Sequence, residues 1–450
     1  MLIEFSFGNY RSFKERVTLS MEAADIASQP PSLDEQNVFT VTDDLHLLTS
    51  AAIYGANASG KSNLIRALNV MRQLVLTSSR ETQLGERLPV EAYLLSTATN
   101  DQVSEFEVVF LIHGTQYRYG FAVTTERVIS EWLYHLGSLR EVTLFSRRHD
   151  NIKVNTRTFR EGRKLEDRTR PNALFLSVVT QFNGSTAGTI FHWFGRLGIN
   201  TGINDEADML QALHHFEHSP YGKLMEKLIR RLDVGIEGLQ LERTPAVVPS
   251  SALSSIPRAF AEQMRAVVDE LIKGGHEPET ITMKTLHQRF DREGYPVGVV
   301  TFDLLEHESA GTRRLFALAY PLMRSLQEGL VLFVDEIDAR IHPNLVIELI
   351  RLFHDPATNP HHAQLIFTTH NTNLLNARLF RRDQVWFVEK SRQGASDLYS
   401  LVEYRLEDNK LVRNDASFEK DYIAGRYGAV PFISNLGAFL GVEHGQTPEG

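Results

Sequence analysis

Two kinds of apolar spacing divide this chain. Alternation at every second residue marks LIEFSF (2–7) as a half-buried strand, and EFEVVFLI (105–112) and YRYGFAV (117–123) as a hairpin around HGTQ. VISEWLYHL (128–136) and EVTLFS (141–146) continue the strand-like text. AAIYG (51–55) is a short apolar strand ending in glycine, and LVLFV (330–334) and LIFTT (365–369) are almost wholly apolar. Continuous runs of that length suit the centre of a parallel sheet covered on both faces.

Helical spacing appears first after residue 60, where Leu64, Leu68, Met71 and Val75 fall on one face. It returns through 172–285 in FHWFGRLG, ADMLQALHHF, YGKLMEKLIRRL and AFAEQMRAVVDELIKG. None of these keeps heptads going long enough for a long coiled coil, so the middle is expected to be a compact helical insert. Strand character resumes over 281–305. The pattern predicts an α/β protein in four parts: an N-terminal lobe at 1–150, a mainly helical insert at 151–290, a C-terminal lobe at 291–435 and a frayed tail at 436–450.

Composition narrows the function classes. At 450 residues the chain is long enough for two or three domains, with 42% hydrophobic and 23% charged residues, close to ordinary globular usage. The absence of cysteine excludes disulfides and thiolate metal sites and fits a reducing compartment. No apolar run approaches bilayer length, and Met1 leads straight into an alternating strand rather than a leader. The expectation is a cytoplasmic protein with no membrane contact. The net charge of -9 means that any nucleic-acid contact needs a local patch. Residues 147–170, with nine Lys/Arg against four Asp/Glu, are the candidate, and a solvated strand pair and loop is the alternative reading.

The strongest chemical signal is GANASGKS at 55–62, set between an apolar strand and an amphipathic helix. Gly55 and Gly60 let the backbone of Ala56, Asn57, Ala58 and Ser59 wrap so that successive N–H groups face phosphate oxygens. Lys61 would neutralise the β/γ oxygens and Ser62 would hold Mg²⁺, while the helix starting at Lys61, Ser62 and Asn63 adds its positive dipole end. Asp335 ends the buried run LVLFVD and would orient the Mg²⁺ shell, with Glu336 placed to polarise the attacking water. His370 ends LIFTT at a sheet's carboxyl edge, where an imidazole can sense a γ-phosphate. A second small-residue turn, Ser309-Ala310-Gly311-Thr312, precedes a helical stripe of Leu315, Leu318 and Leu322, and so forms a second anion-binding helix start. A chain that already holds phosphates at 55–62 would offer this turn to the nucleotide of another copy.

A Lys61 loop, a Ser-x-Gly-Thr turn, an Asp-Glu strand and a His strand, in that order, resemble the ABC-type ATPase head. That resemblance implies a mixed or parallel sheet flanked by helices plus an antiparallel β subdomain, with ATP and Mg²⁺ held between one subunit's loop and the partner's Ser309–Thr312 turn. FGNYRSF (7–13) is similar to the opening strand of SMC-like and RecF-like heads, which implies that Arg11 and Ser12 lie beside the nucleotide. DEIDARIHPNL (335–345), with His342 where transporter heads carry aspartate, resembles the AAA-type ATPases of the overcoming-lysogenization-defect and RloA/AbiL-like groups. DQVWFVEK (383–390) and DYIAGRYGAVP (421–431) agree with RloA-like ATPases of restriction and abortive-infection loci.

The resemblance implies an ATPase switch in prokaryotic defence, a homodimer or higher homo-oligomer, acting on a separately encoded effector of the RloB type or a nuclease. A RecF-like DNA-repair ATPase and an ATP-bound scaffold with little turnover are the alternatives. Gln73, Gln83 and Gln116 stand equal as Q-loop residues. WFVEKS (386–391) resembles a Toprim first strand with Glu389 as its acid, yet no Asp-x-Asp follows, so intrinsic nuclease chemistry is not expected.

Overall fold

The computed structural model describes residues 1–99, 102–136, 140–202, 205–232, 235–245, 279–376, 378–406, 411–413 and 417–431. The chain forms two compact units. The first comprises Met1–Ile203, Arg324–Asp338 and His342–Gly450, and the second comprises Asn204–Met323 and Ala339–Ile341.

The first unit holds two large sheets. One has six strands: β5 (Ser50–Tyr54), β11 (Gly198–Asn200), β15 (Val331–Val334), β16 (Gln364–Thr368), β17 (Val385–Lys390) and β18 (Ser396–Ser400). Their order is β11-β15-β16-β5-β17-β18, with the first five mutually parallel and β18 antiparallel to β17. Every residue of β5, β15 and β16 is buried, which is why their sequence lacks alternation. The second sheet is wholly antiparallel. It contains β1 (Leu2–Gly8), β2 (Val17–Ser20), β6 (Ser104–Ile112), β7 (Thr115–Val123), β8 (Val128–Leu136), β9 (Glu141–Arg148) and β10 (Asn151–Val154), in the order β10-β9-β8-β7-β6-β1-β2. The β6–β7 hairpin closes on His113 and Gly114, both at positive φ, as a two-residue turn requires. A small hairpin, β3 (Val38–Thr42) with β4 (Leu45–Leu48), and α1 (Ser32–Asn37) complete this part.

Helix α2 (Lys61–Thr77) buries Leu64, Leu68, Met71 and Val75 in the core, the four residues its periodicity marked. Two helices that the sequence grouped with the insert, α3 (Phe175–Gln181) and α4 (Ser185–Arg196), bury Phe175, Val179, Ile190 and Phe194 in that same core. The unit therefore runs to residue 203 rather than 150. Their apolar faces find partners in α2 and the antiparallel sheet, a long-range outcome that helical spacing alone does not encode.

The second unit contains α5 (Asp205–His218), α6 (Gly222–Leu232) and a three-stranded antiparallel sheet of β12 (Ile236–Pro245), β13 (Glu279–Phe290) and β14 (Pro296–Asp303). The insert is thus not purely helical. Strand β12 went unread although Leu239 and Leu241 alternate with polar neighbours, because Gly238 breaks the pattern and a bulge shifts its register there. The AFAEQMRAVVDELIKG segment (259–274) and the 436–450 tail lie outside the described residues. Helix α7 (Ala310–Glu328) starts in the second unit, and α8 (Pro343–His354), α9 (Asn373–Asn376) and α10 (Phe418–Ile423) belong to the first.

Candidate functional site

The sheet order brings three chain segments to one edge. Strands β15, β16 and β5 are parallel neighbours, so Asp335, Thr368 and Gly55 all leave at the carboxyl side. Crevices outside the carboxyl ends of parallel strands are where such sheets bind ligands.

The loop from Gly55 to Ser62 is shaped for close approach. A Cβ at Gly55 would stand 2.4 Å from the Val388 carbonyl oxygen of β17, so only glycine fits there. Ala58 takes a left-handed backbone (φ 61°), and Gly60 caps α2. Lys61 is 5% exposed, and its Nζ donates to the carbonyls of Gly55 (2.8 Å) and Ala56 (3.1 Å) across the loop mouth. Burial lowers its pKa to about 8, opposed by the nearby charges of Asp335, Glu336 and Asp338. Ser62 and Asn63 are half-buried in the first turn of α2. The Ser59 hydroxyl is buried without a hydrogen-bond partner among the described residues.

Asp335 follows β15 and is 5% exposed. The Thr368 hydroxyl donates to its Oδ1 at 2.6 Å and accepts from the Glu336 N–H at 2.7 Å. Glu336 turns its side chain to solvent from a left-handed backbone (φ 49°), a conformation that non-glycine residues adopt mainly where surroundings impose it. Here the Thr368 bond to the Glu336 N–H and the Ile337 N–H bond to the Thr368 carbonyl (3.1 Å) impose it. His370 is exposed, and its backbone N–H donates to Asp338 Oδ2 at 3.4 Å. Partial burial and the Lys61 charge lower its pKa, offset by Asp338, Glu336 and Asp335. Arg11 pairs with Glu91 (2.8 Å), whereas Ser12 reaches the loop, its Oγ accepting from Asn63 Nδ2 at 2.9 Å. Sequence reasoning missed Thr368 and Asp338. Both stand inside quoted motifs, but their partners lie a strand or a turn away.

The residues fit a nucleotide's phosphates with Mg²⁺. The loop backbone is cleared of Cβ atoms at Gly55, a buried cation faces the mouth, and the Ser62 hydroxyl and Asp335 carboxylate are hard oxygen donors of the kind Mg²⁺ prefers.

In the second unit, Ser309 caps α7. Its Oγ accepts from the Thr312 N–H (3.0 Å) and lies 2.9 Å from the Thr312 hydroxyl, while Ala310 opens the helix. The Arg340 carbonyl comes so near Gly311 that a Cβ there would stand 2.7 Å from it. His342 caps α8, its Nδ1 accepting from the Asn344 N–H at 3.2 Å with Pro343 in the first turn, which accounts for the His-Pro pair.

The chain matches the family described as "AAA domain, putative AbiEii toxin, Type IV TA system" over residues 50–181 and 203–376, more than half its length. The chain belongs to this family. Both blocks contain site segments: the phosphate loop lies in the first, and the Ser309 turn, the Asp335-Glu336 pair and His370 in the second. Membership makes it an AAA-type ATPase-family protein with an α/β P-loop fold, in a family whose description carries a toxin–antitoxin association. No curated protein matches the chain. Among the described residues, no helix is long and apolar enough to cross a membrane.

Elsewhere on this AAA-domain chain, the basic segment splits into two sets. Arg147 is buried, donating to the Ala173 carbonyl (2.6 Å) beside Glu131, and Arg170 donates to the Ser79 carbonyl (3.0 Å). Arg148, Lys153, Arg157, Arg160, Arg163, Lys164 and Arg168 are exposed. Glu389 accepts from the Tyr399 hydroxyl at 3.3 Å, beside the C-terminal Gly428 turn.

Proposed function

We propose that this protein is an ATP-binding and hydrolysing switch with an ABC-type head, completed when a second copy engages. The observation that carries the reading is the convergence of the Lys61 loop, the Thr368-held Asp335 and Glu336, and His370 at one sheet edge. Bound ATP with Mg²⁺ supplies the phosphoryl group to be transferred and the charge that the site must neutralise. The backbone of Gly55–Gly60 donates N–H groups to phosphate oxygens, and Lys61 exchanges its loop carbonyls for β/γ oxygens. Ser62 and Asp335 hold the metal. Glu336 accepts a proton from the attacking water, and His370 contacts the γ-phosphate from the neighbouring strand. Arg11 and Ser12 flank the nucleotide.

The Ser309–Thr312 turn caps the ATP of the partner copy, so two heads sandwich two nucleotides. Engagement then signals to a separately encoded effector in prokaryotic defence, a role in keeping with the toxin–antitoxin association of the family. The test is Ser309→Arg. It should leave ATP binding to one subunit almost intact yet abolish ATP-driven dimerisation and, with it, turnover, because the partner's donors complete transition-state stabilisation. Mixing it with Lys61→Ala should restore some activity through the one intact composite site. Normal engagement and turnover in Ser309→Arg alone would reduce the turn to a helix cap.

A second reading, in which nucleic acid is the trigger, is favoured by the charge accounting at 147–170. Two of its four acids are committed: Asp150 accepts bidentately from Arg127 (2.7 and 2.8 Å), and Glu161 caps α4 through the Ala187 N–H (2.7 Å). Seven exposed cations then face only Glu166 and Asp167. Reversing Arg157, Arg163 and Lys164 to Glu should weaken binding of a labelled duplex and flatten its salt dependence. Unchanged anisotropy titrations would remove this reading.

A further inference from the structure

A cavity of about 490 Å³ lies in the first unit, lined by Leu33, Leu375, Phe380 and Phe418 as apolar walls and by Arg378, Arg381 and Arg382. It is not the phosphate-loop crevice. Arg382 leads directly into the amino end of β17, which runs parallel to β5 with Val385 paired to Ala52, whereas Gly55 follows the carboxyl end of β5. The Arg382 end of the cavity therefore lies toward the amino edge of the sheet.

Its chemistry is one-sided, for three arginines and no acidic side chain line it among the described residues. Arg381 is fully engaged, pairing with Asp34 and Asp383 and donating to the Ala24 carbonyl at 2.8 Å. The other two keep donors to spare. Arg382 binds the Val412 carbonyl through Nη1 but leaves its buried Nε without a partner among the described residues. Arg378 stands exposed at a left-handed backbone (φ 50°) and makes no hydrogen bond or ion pair among the described residues. Ser28, only 7% exposed, stands at the cavity wall against Asp34, whose Oδ2 accepts the Ser28 N–H at 3.0 Å. Buried polar groups normally find partners, and the free Arg382 Nε and Arg378 guanidinium beside a cavity of ligand size mark a place where an acceptor belongs. Guanidinium groups match forked oxyanions, and the apolar walls suit a flat hydrophobic body.

We propose that this cavity is a second ligand site, taking a small organic anion whose phosphate or carboxylate meets Arg378 and Arg382 and whose ring packs on the apolar wall. Helix α9, which supplies Leu375 and Asn376, follows the His370 loop directly, so the ligand would bear on the segment that carries the γ-phosphate contact.

The test is calorimetry on the full chain carrying Lys61→Ala, which silences the phosphate loop and keeps this result independent of the ATPase reading. The probes are phenyl phosphate, benzoate, AMP and adenosine. Saturable binding of phenyl phosphate or benzoate, with uncharged adenosine inert, is the expected result. Preference between the first two identifies the oxyanion, and AMP shows whether a nucleotide is admitted. Arg378→Ala, at an exposed position where folding is not at stake, should weaken the binding roughly tenfold or more, and Arg378→Glu should abolish it. If none of the charged probes binds, or if binding survives Arg378→Glu, the cavity is only a packing gap and the proposal fails.

Discussion

The hydroxyl of Thr368 donates to Asp335 Oδ1 across two neighbouring parallel strands at 2.6 Å, and both residues are buried. The same oxygen accepts the Glu336 N–H at 2.7 Å, so one side chain of β16 fixes both acids that follow β15. That bond restrains the Asp335 side chain, the preorganisation that the proposed metal-holding role would need.

Thr368→Val keeps the shape and removes both bonds. It should destabilise the fold by about 1–3 kcal/mol through the buried carboxylate left short of a donor. It should also lower ATP turnover more than ATP affinity. Thr368→Ser should restore both. Urea unfolding and phosphate release on the two variants separate a packing effect from a positioning one.

Lys61→Ala should lose nucleotide affinity while retaining its circular dichroism and unfolding midpoint. Among the described residues the hydrogen bonds of the Lys61 ammonium go to the loop carbonyls of Gly55 and Ala56. Its removal therefore costs little of the core. Titration with a fluorescent ATP analogue checks this, and wild-type affinity would remove the phosphate-loop assignment.

Glu336→Gln should bind ATP and accumulate as head-engaged dimers, with turnover down by roughly 100-fold or more, the usual range for loss of a general base. The amide preserves the backbone bond to Thr368 because that bond uses the main-chain N–H. Rapid turnover in this variant would show that another group activates water.

His354 gives a pH signature independent of nucleotide. It is buried with its Nε2 2.7 Å from the Ser50 hydroxyl, and burial lowers its pKa from 6.5 to about 3. Between those values the unfolded chain takes up a proton that the folded chain refuses. The stability it contributes is thus complete above pH 6.5 and is lost as pH falls toward 3, at about 1.4 kcal/mol per pH unit. His354→Gln should be less steep than wild type between pH 4 and 6 by that amount, measured by denaturant unfolding. Parallel slopes would mean that His354 titrates in the folded state.

The segments that meet at the candidate site were legible along the chain. GANASGKS stands out because the phosphate-wrapping role proposed for it needs glycine and lysine within one short loop, a purely local demand. Buried parallel strands likewise betray themselves, since a strand covered on both faces must be apolar at every position, as β5, β15 and β16 are. The periodicity of α2 showed which side enters the core. Tertiary structure alone decided the strand order that sets β16 between β15 and β5, and with it the bond from Thr368 to Asp335. It also decided that α3 and α4 join the first unit's core, and that Arg147 and Arg170 are spent on backbone carbonyls while seven neighbours face solvent. Spacing records which face of an element is apolar or charged, but hydrophobic burial is non-directional. Which partner covers that face is therefore settled only when the whole chain packs.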